Sequence, residues 1–177
     1  SIFSGDLPSQ NVTALAADFD GEIWIGTDAG FAILYNANSA FTAAAGEYDA
    51  QRIKVEFEGN VEYLLGNTHI TDIEVDGSNN KWIGTVDSGV FYFSPDGQNT
   101  IYHFTSDNSP LPSNRINDIS IDPNNGIVYI ATIKGLLSFR AGGSKPEETL
   151  EDAFVYPNPV RPEYNILGFN DLNDINK

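Results

Sequence analysis

Cysteine is absent from this chain, which excludes disulfides, thiol catalysis and cysteine-ligated zinc. It does not exclude an oxidising compartment, because a chain of 177 residues can bury a core large enough to hold without staples. Basic residues are scarce: nine Lys and Arg stand against twenty-five Asp and Glu, a net charge of −16. Nucleic acid and anionic membrane surfaces both select clusters of Lys and Arg, so neither is an expected partner. No run of about twenty apolar residues and no signal peptide is present, so direct membrane insertion is not expected either. Methionine is missing, even at the first position. With a pattern that starts and stops inside a unit, this leads to the expectation of a piece of a longer chain. Catalytic signatures are absent too. There is no Gly-X-Ser-X-Gly turn, no His-Glu-X-X-His helix and no phosphate loop. Carboxylate pairs are everywhere in so acidic a chain and single out no glycosidase centre. The expectation is a protein that is not an enzyme and uses no cofactor.

What the sequence does contain is a repeat. Glu22-Ile23-Trp24-Ile25-Gly26-Thr27-Asp28-Ala29-Gly30-Phe31 returns as Lys81-Trp82-Ile83-Gly84-Thr85-Val86-Asp87-Ser88-Gly89-Val90. It returns again, weakened, as Val128-Tyr129-Ile130-Ala131-Thr132-Ile133-Lys134-Gly135-Leu136. Upstream, Leu7-Pro8-Ser9-Gln10-Asn11-Val12 matches Leu111-Pro112-Ser113-Asn114-Arg115-Ile116, and more loosely Leu65 to Ile70. Each unit then alternates apolar and polar residues along a strand A (Val12 to Asp18, Ile70 to Asp76, Ile116 to Asp122), and an Asp/Asn/Gly cluster leads to strand B and then strand C (Phe31 to Tyr35, Val90 to Ser94, Leu136 to Arg140). Such clusters between apolar runs are hairpin turns, because they tolerate positive φ and hydrogen-bond locally. Short strands recurring every roughly 40–50 residues, one of them carrying Trp, are the mark of propeller blades. Strand B of each unit is apolar on both faces (Ile23, Trp24, Ile25; Trp82, Ile83), which places it between layers. Gly26, Gly84 and Ala131 imply close backbone approach, and Thr27, Thr85 and Thr132 read as structural hydrogen-bonding groups.

The chain therefore reads as all-β: a partial β-propeller of about three blades of four-stranded antiparallel sheet, a fragment of a larger propeller. The blades fall at residues 1–65, 66–105 and 106–140. The longer first period is expected to hold a hairpin, Arg52 to Phe57 and Val61 to Leu65, over Glu58-Gly59-Asn60. A fourth strand is expected at Thr100 to Phe104 in blade two, and none after Arg140. Residues 141–153 read as a linker. Residues 154–177, with Pro157, Pro159 and Pro162, read as the truncated start of a C-terminal β-sandwich domain. Three blades do not close a ring, which takes four to eight. The ring is expected to be completed by missing parent blades or by another copy.

Candidate sites are few. His69 and His103 occupy unrelated positions in their repeats and read as surface or edge residues, not metal ligands. Asp18-Phe19-Asp20-Gly21 starts like a calcium loop, but Ala29 stands where the twelfth-position glutamate belongs, so it reads as a turn. The loop tips remain. Asp28, Asp87, Ser88 and Lys134 lie between strands B and C, while Asn114 and Arg115 precede strand A. In propellers these loops share one face where ligands and partners sit, so they form the candidate binding face; the plain alternative is solvated loops.

The unit Leu-Pro-Ser-Asn-X-Ile, Asp, Gly, Trp-Ile-Gly-Thr, Gly resembles the two-component regulator propeller repeat, which occurs in periplasmic sensor regions of hybrid histidine kinases. Phe91-Tyr92-Phe93-Ser94-Pro95-Asp96-Gly97, His103-Phe104-Thr105 and Asn108-Ser109-Pro110-Leu111 extend the likeness. So does Tyr156-Pro157-Asn158-Pro159-Val160-Arg161-Pro162. These stretches are similar to PorZ-like proteins of the Por (type IX) secretion system, at the end of their second propeller and the start of a C-terminal β-sandwich. That resemblance implies a periplasmic or cell-surface, outer-membrane-associated protein with protein partners and surface glycan or lipopolysaccharide, which supports attachment of anionic lipopolysaccharide to secreted cargo. It carries over no catalytic residue. The alternative it implies is the ligand-sensing propeller of a hybrid two-component histidine kinase that binds a glycan or other small ligand.

Overall fold

The computed structural model describes residues 6–42, 44, 49–57, 59–140 and 154–157. The strands form three antiparallel meanders and a separate hairpin. The first sheet holds β1 (Val12–Ala17), β2 (Ile23–Thr27) and β3 (Gly30–Leu34). The hairpin is β4 (Lys54–Phe57) and β5 (Asn60–Tyr63). The second sheet is β6 (Ile70–Val75), β7 (Lys81–Thr85), β8 (Val90–Phe93) and β9 (Thr100–Phe104). The third is β10 (Ile116–Ile121), β11 (Ile127–Thr132), β12 (Gly135–Arg140) and β13 (Phe154–Pro157). Among the described residues there is one 3-10 turn, Ala37–Phe41, and no α-helix.

The sheets stack in chain order. β6 packs on β1 and β2, and β10 packs on β6 and β7. Each sheet is therefore a blade that meets the next through its first strand, and the three form an open arc of a β-propeller. The repeat extends to backbone detail. The register slips at the same place in each first pair, between Val12 and Ala14, Ile70 and Asp72, and Ile116 and Asp118.

The apolar core lies between blades. Trp24, Phe31 and Ile33 of blade one pack with Ile70, Ile73, Ile83 and Phe93 of blade two. Trp82, Val90 and Tyr92 of blade two pack with Ile116, Ile119, Val128, Ile130 and Leu137 of blade three. β7 gives Ile83 to one cluster and Trp82 to the other, and all five of its residues are buried. That is the two-sided burial expected of strand B, with each buried aliphatic or aromatic side chain contributing about 1.5–3 kcal/mol. The glycines of strand B make the contact possible. A Cβ on Gly26 would sit 2.7 Å from Ile70 Cγ2, and one on Gly84 would sit 2.8 Å from Ile116 Cγ2.

Two expectations about outer strands need correction. β13 pairs with β12 from Gly135↔Pro157 to Ser138↔Phe154, so blade three has the fourth strand that was not expected. Phe154–Pro157, read from the sequence as the entry to a β-sandwich domain, thus pairs with this blade's sheet. The prolines argued against a central strand, but β13 is an edge, where the missing N–H of Pro157 at the strand end costs no ladder bond. In blade one, the hairpin stands apart as its own sheet. The fourth-strand position is held by Gln51, whose N–H and C=O each bond Ile33 at 2.8 Å. The proposed linker at 141–153 and residues 158–177 lie outside the described residues.

Candidate functional site: the loop face

The B–C turns and the segments before strand A meet on one end of every blade through the same backbone bond. The N–H of Asp28 donates to Asn11 C=O at 3.3 Å, Val86 N–H to His69 C=O at 3.0 Å, and Ile133 N–H to Arg115 C=O at 3.3 Å. A repeated threonine sets each turn. Thr27, Thr85 and Thr132 hydroxyls donate to the carbonyls of Gly30, Gly89 and Gly135 at 2.7, 2.8 and 2.9 Å. Each hydroxyl also accepts the N–H of Ala29, Ser88 or Lys134. Their structural reading holds. Neighbouring blades then link across this end. Asn67 N–H donates to Ala29 C=O at 3.2 Å, and Gly89 N–H to Asn114 C=O at 3.0 Å.

The six named residues lie on loops of all three blades. Asp28 is half-buried and accepts Asn11 Nδ2–H at 2.9 Å. Hydrogen bonds from Ser9 and Asn11 hold its carboxyl below the ordinary range. Asp87 is exposed and accepts the Ser88 hydroxyl at 2.9 Å. Asn114 is committed to structure: its side-chain oxygen accepts Ser106 N–H at 2.7 Å, and its carbonyl accepts Gly89 N–H. Arg115 and Lys134 are exposed on blade three, on adjoining loops. The face thus runs from carboxylates on blades one and two to cations on blade three. His103 lies on the edge strand β9, stacked on Phe91 at 3.9 Å, and its Nε2–H donates to Ser88 C=O at 2.6 Å.

Sequence reasoning missed the most elaborate polar centre, at the opposite, A–B end. Asp18 Oδ1 accepts Asp20 N–H at 3.0 Å and Glu22 N–H at 2.9 Å, and Oδ2 accepts Trp24 Nε1–H at 3.3 Å. Lys81 reaches across from blade two to Oδ2 at 3.0 Å, with both side chains fully buried. Its ammonium also donates to Asn79 C=O and Pro95 C=O, each at 2.7 Å, and lies over the Trp24 ring. Burial alone would push the Asp18 carboxyl up. Lys81, the Glu22 N–H and the Trp24 N–H overcome it and hold the carboxyl below its ordinary value. The signal available in the sequence was a lone lysine opening a strand that is otherwise apolar. Asp76 is capped differently: Tyr92 O–H donates to it at 2.8 Å, and burial and this bond push the phenol up. Trp82, unlike Trp24, is left with an N–H that has no acceptor among the described residues. It lines a small apolar cleft with Phe104, Leu111, Ile130, Leu137 and Phe139.

The profile described as two component regulator propeller matches residues 6–29, the first strand, the Asp18 turn and the Trp24 strand. PorZ, an essential bacterial surface component of the type-IX secretion system of Porphyromonas gingivalis, superposes with a TM-score of 0.70 at 38% identity. That match covers 86% of this chain and 20% of PorZ. The chain belongs to the two-component regulator propeller family. Two further members of this fold come from B. thetaiotaomicron. The extracellular domain of the hybrid two component system BT3049 gives a TM-score of 0.58 at 22% identity, covering 84% of this chain and 17% of that one. The extracellular domain of the one component system BT4673 gives 0.54 at 19%, covering 82% and 17%. No curated protein matches by sequence. This regulator-propeller chain spans about a fifth of the length of the solved structures it resembles. No helix among its described residues is long and apolar enough to cross a membrane.

Proposed function

We propose that the chain is a non-enzymatic binding and scaffolding part of a PorZ-like cell-surface protein, supporting type IX secretion and the attachment of anionic lipopolysaccharide to cargo. The observation that carries this reading is the 38% identity to PorZ over 86% of the chain. The similarity to the two-component extracellular domains, at 22% and 19%, supports the shared fold alone. The loop face fits a binding role, because it offers exposed polar side chains on a backbone fixed by repeated bonds and holds, among the described residues, no nucleophile, base and orienting group in line. Arg115 and Lys134 supply its positive end, suited to anionic groups on a partner.

The test is replacement of the gene in the source bacterium by Arg115→Glu/Lys134→Glu, with a full deletion beside it. The reading expects the deletion to abolish surface-attached, glycolipid-modified cargo, and the charge reversal to reduce it at unchanged protein level. Normal cargo display in the deletion strain, with a lost transcriptional response to a glycan, would overturn it in favour of a sensor.

A further inference from the structure

The apolar contacts of the two seams between blades are interchangeable. Ile70, Ile73, Ile83 and Phe93 of blade two pack on blade one. The repeat puts Ile116, Ile119, Ile130 and Phe139 of blade three at the same four positions. Blade three thus carries the side chains with which blade two meets blade one, and hydrophobic burial, being non-directional, does not choose between them. The polar contacts differ. Between blades one and two, the three donors of the Lys81 ammonium go to Asp18 Oδ2 at 3.0 Å and to Asn79 C=O and Pro95 C=O at 2.7 Å each. Asn79 clamps the adjoining turns: its Oδ1 accepts Phe19 N–H at 3.0 Å, and its Nδ2–H donates to Asp20 at 2.8 Å. Between blades two and three, Asp72 Oδ2 accepts Ile119 N–H at 2.7 Å.

We propose that these polar contacts fix the order of the blades: they make blade two the one that docks on blade one and keep blade three out of its place. Val128 stands in blade three where Lys81 stands in blade two. Docked on blade one, it would bury the Asp18 carboxylate with no counter-charge. Asn125, on the matching turn of blade three, is already committed. Its Nδ2–H donates to Asp122 at 2.6 Å, and its Oδ1 accepts Ile127 N–H at 2.9 Å. Ile119 N–H would face Ala14, which holds the position of Asp72 in blade one and has no side-chain oxygen. Blade two, in turn, is suited to a neighbour without a cation. Ile33 and Tyr92 match, since each pairs with the tryptophan of its strand B. Ile33 has no hydroxyl, so Asp18 is open to Lys81. Tyr92 O–H donates to Asp76 at 2.8 Å and Asn80 Nδ2–H at 3.4 Å, so Asp76 is served within its own blade. The residue in Lys81's place at that seam is the buried, apolar Val128. The effect is a difference between two dockings and not a gain in total stability. The inference rests on the seam geometry and is independent of the secretion reading.

The chain has no cysteine, so a single thiol pair tests this during refolding from urea. Phe19→Cys and Asn124→Cys put one thiol on the first turn of blade one and one on that of blade three, with blade two between them. A disulfide within one chain, trapped by oxidised glutathione as the chain refolds, reports blade three docked on blade one. Asn79→Gly, added to the pair, removes both Asn79 side-chain bonds and keeps the left-handed backbone there, φ 64°. Trapped disulfide should rise about threefold over the pair alone. Lys81→Met/Asp18→Leu, added instead, replaces the buried ion pair by apolar side chains. Its unfolding free energy should equal or exceed that of the parent pair, while trapping rises at least about tenfold. Trapping at the parent level in Asn79→Gly, or in a natively refolded Lys81→Met/Asp18→Leu, overturns the proposal.

Discussion

Lys81 is buried to 0% and its ammonium is fully satisfied only because blade one supplies Asp18 while two carbonyls of its own blade complete the shell. Removing one partner of such a pair leaves the other buried alone, which costs about 3–5 kcal/mol. Lys81→Met should therefore lower the unfolding free energy measured by urea titration by that amount, and Asp18→Asn in the same chain should recover part of it. Asp18 also ties stability to pH. Its folded pKa is depressed, so its contribution is complete above the ordinary aspartate value of about 3.9 and is lost as pH falls through the folded value. Asp72 works with the opposite sign. Burial pushes its carboxyl up, with Asp118 adding to this against a bond from Ile119 N–H. A raised folded pKa gives stability that is present below the unfolded value and lost as pH rises. Asp72→Asn keeps an oxygen for Ile119 and should stabilise the chain at neutral pH. That gain should vanish in urea titrations below the ordinary aspartate range. At Gly84 the issue is space. Gly84→Ala should cost about 1–3 kcal/mol by overpacking against Ile116, and Ile116→Ala should relieve much of that cost in a double-mutant cycle.

At the scale of elements, legibility followed how local the determinants are. Strands A, B and C of each blade could be read because alternation, a turn aspartate and the Trp-Ile-Gly-Thr motif all lie within a short window. The threonine roles could be read for the same reason, since each partner is three or four residues away. β13 could not be, because its partner β12 lies across a proline- and glycine-bearing stretch that carries no period. The pairing of Lys81 with Asp18 was hidden by the same distance in sequence. The candidate face was legible as a set of loop tips, but not that Asn114 is taken up by Ser106 and Gly89. β13 yields its own prediction. Val155→Pro should remove the outer strand, so those amides of Gly135 to Ser138 that point toward β13 lose protection in hydrogen exchange while those of β7 keep theirs.

For the whole molecule, the governing idea is that blades cohere through their faces, with strand B of one blade packed under strand A of the next. Both cores bridge two blades and neither lies within one, so no blade is expected to be stable when cut out. The most direct measurement is native-state hydrogen exchange resolved to strands. Lys81 to Thr85, sealed between blades one and three, should be the slowest amides of the chain and should exchange only with global unfolding. Those of the outer strand β9 should open earlier by local fraying. Exchange of β7 as fast as that of β9 would contradict the stacked-blade account at its root.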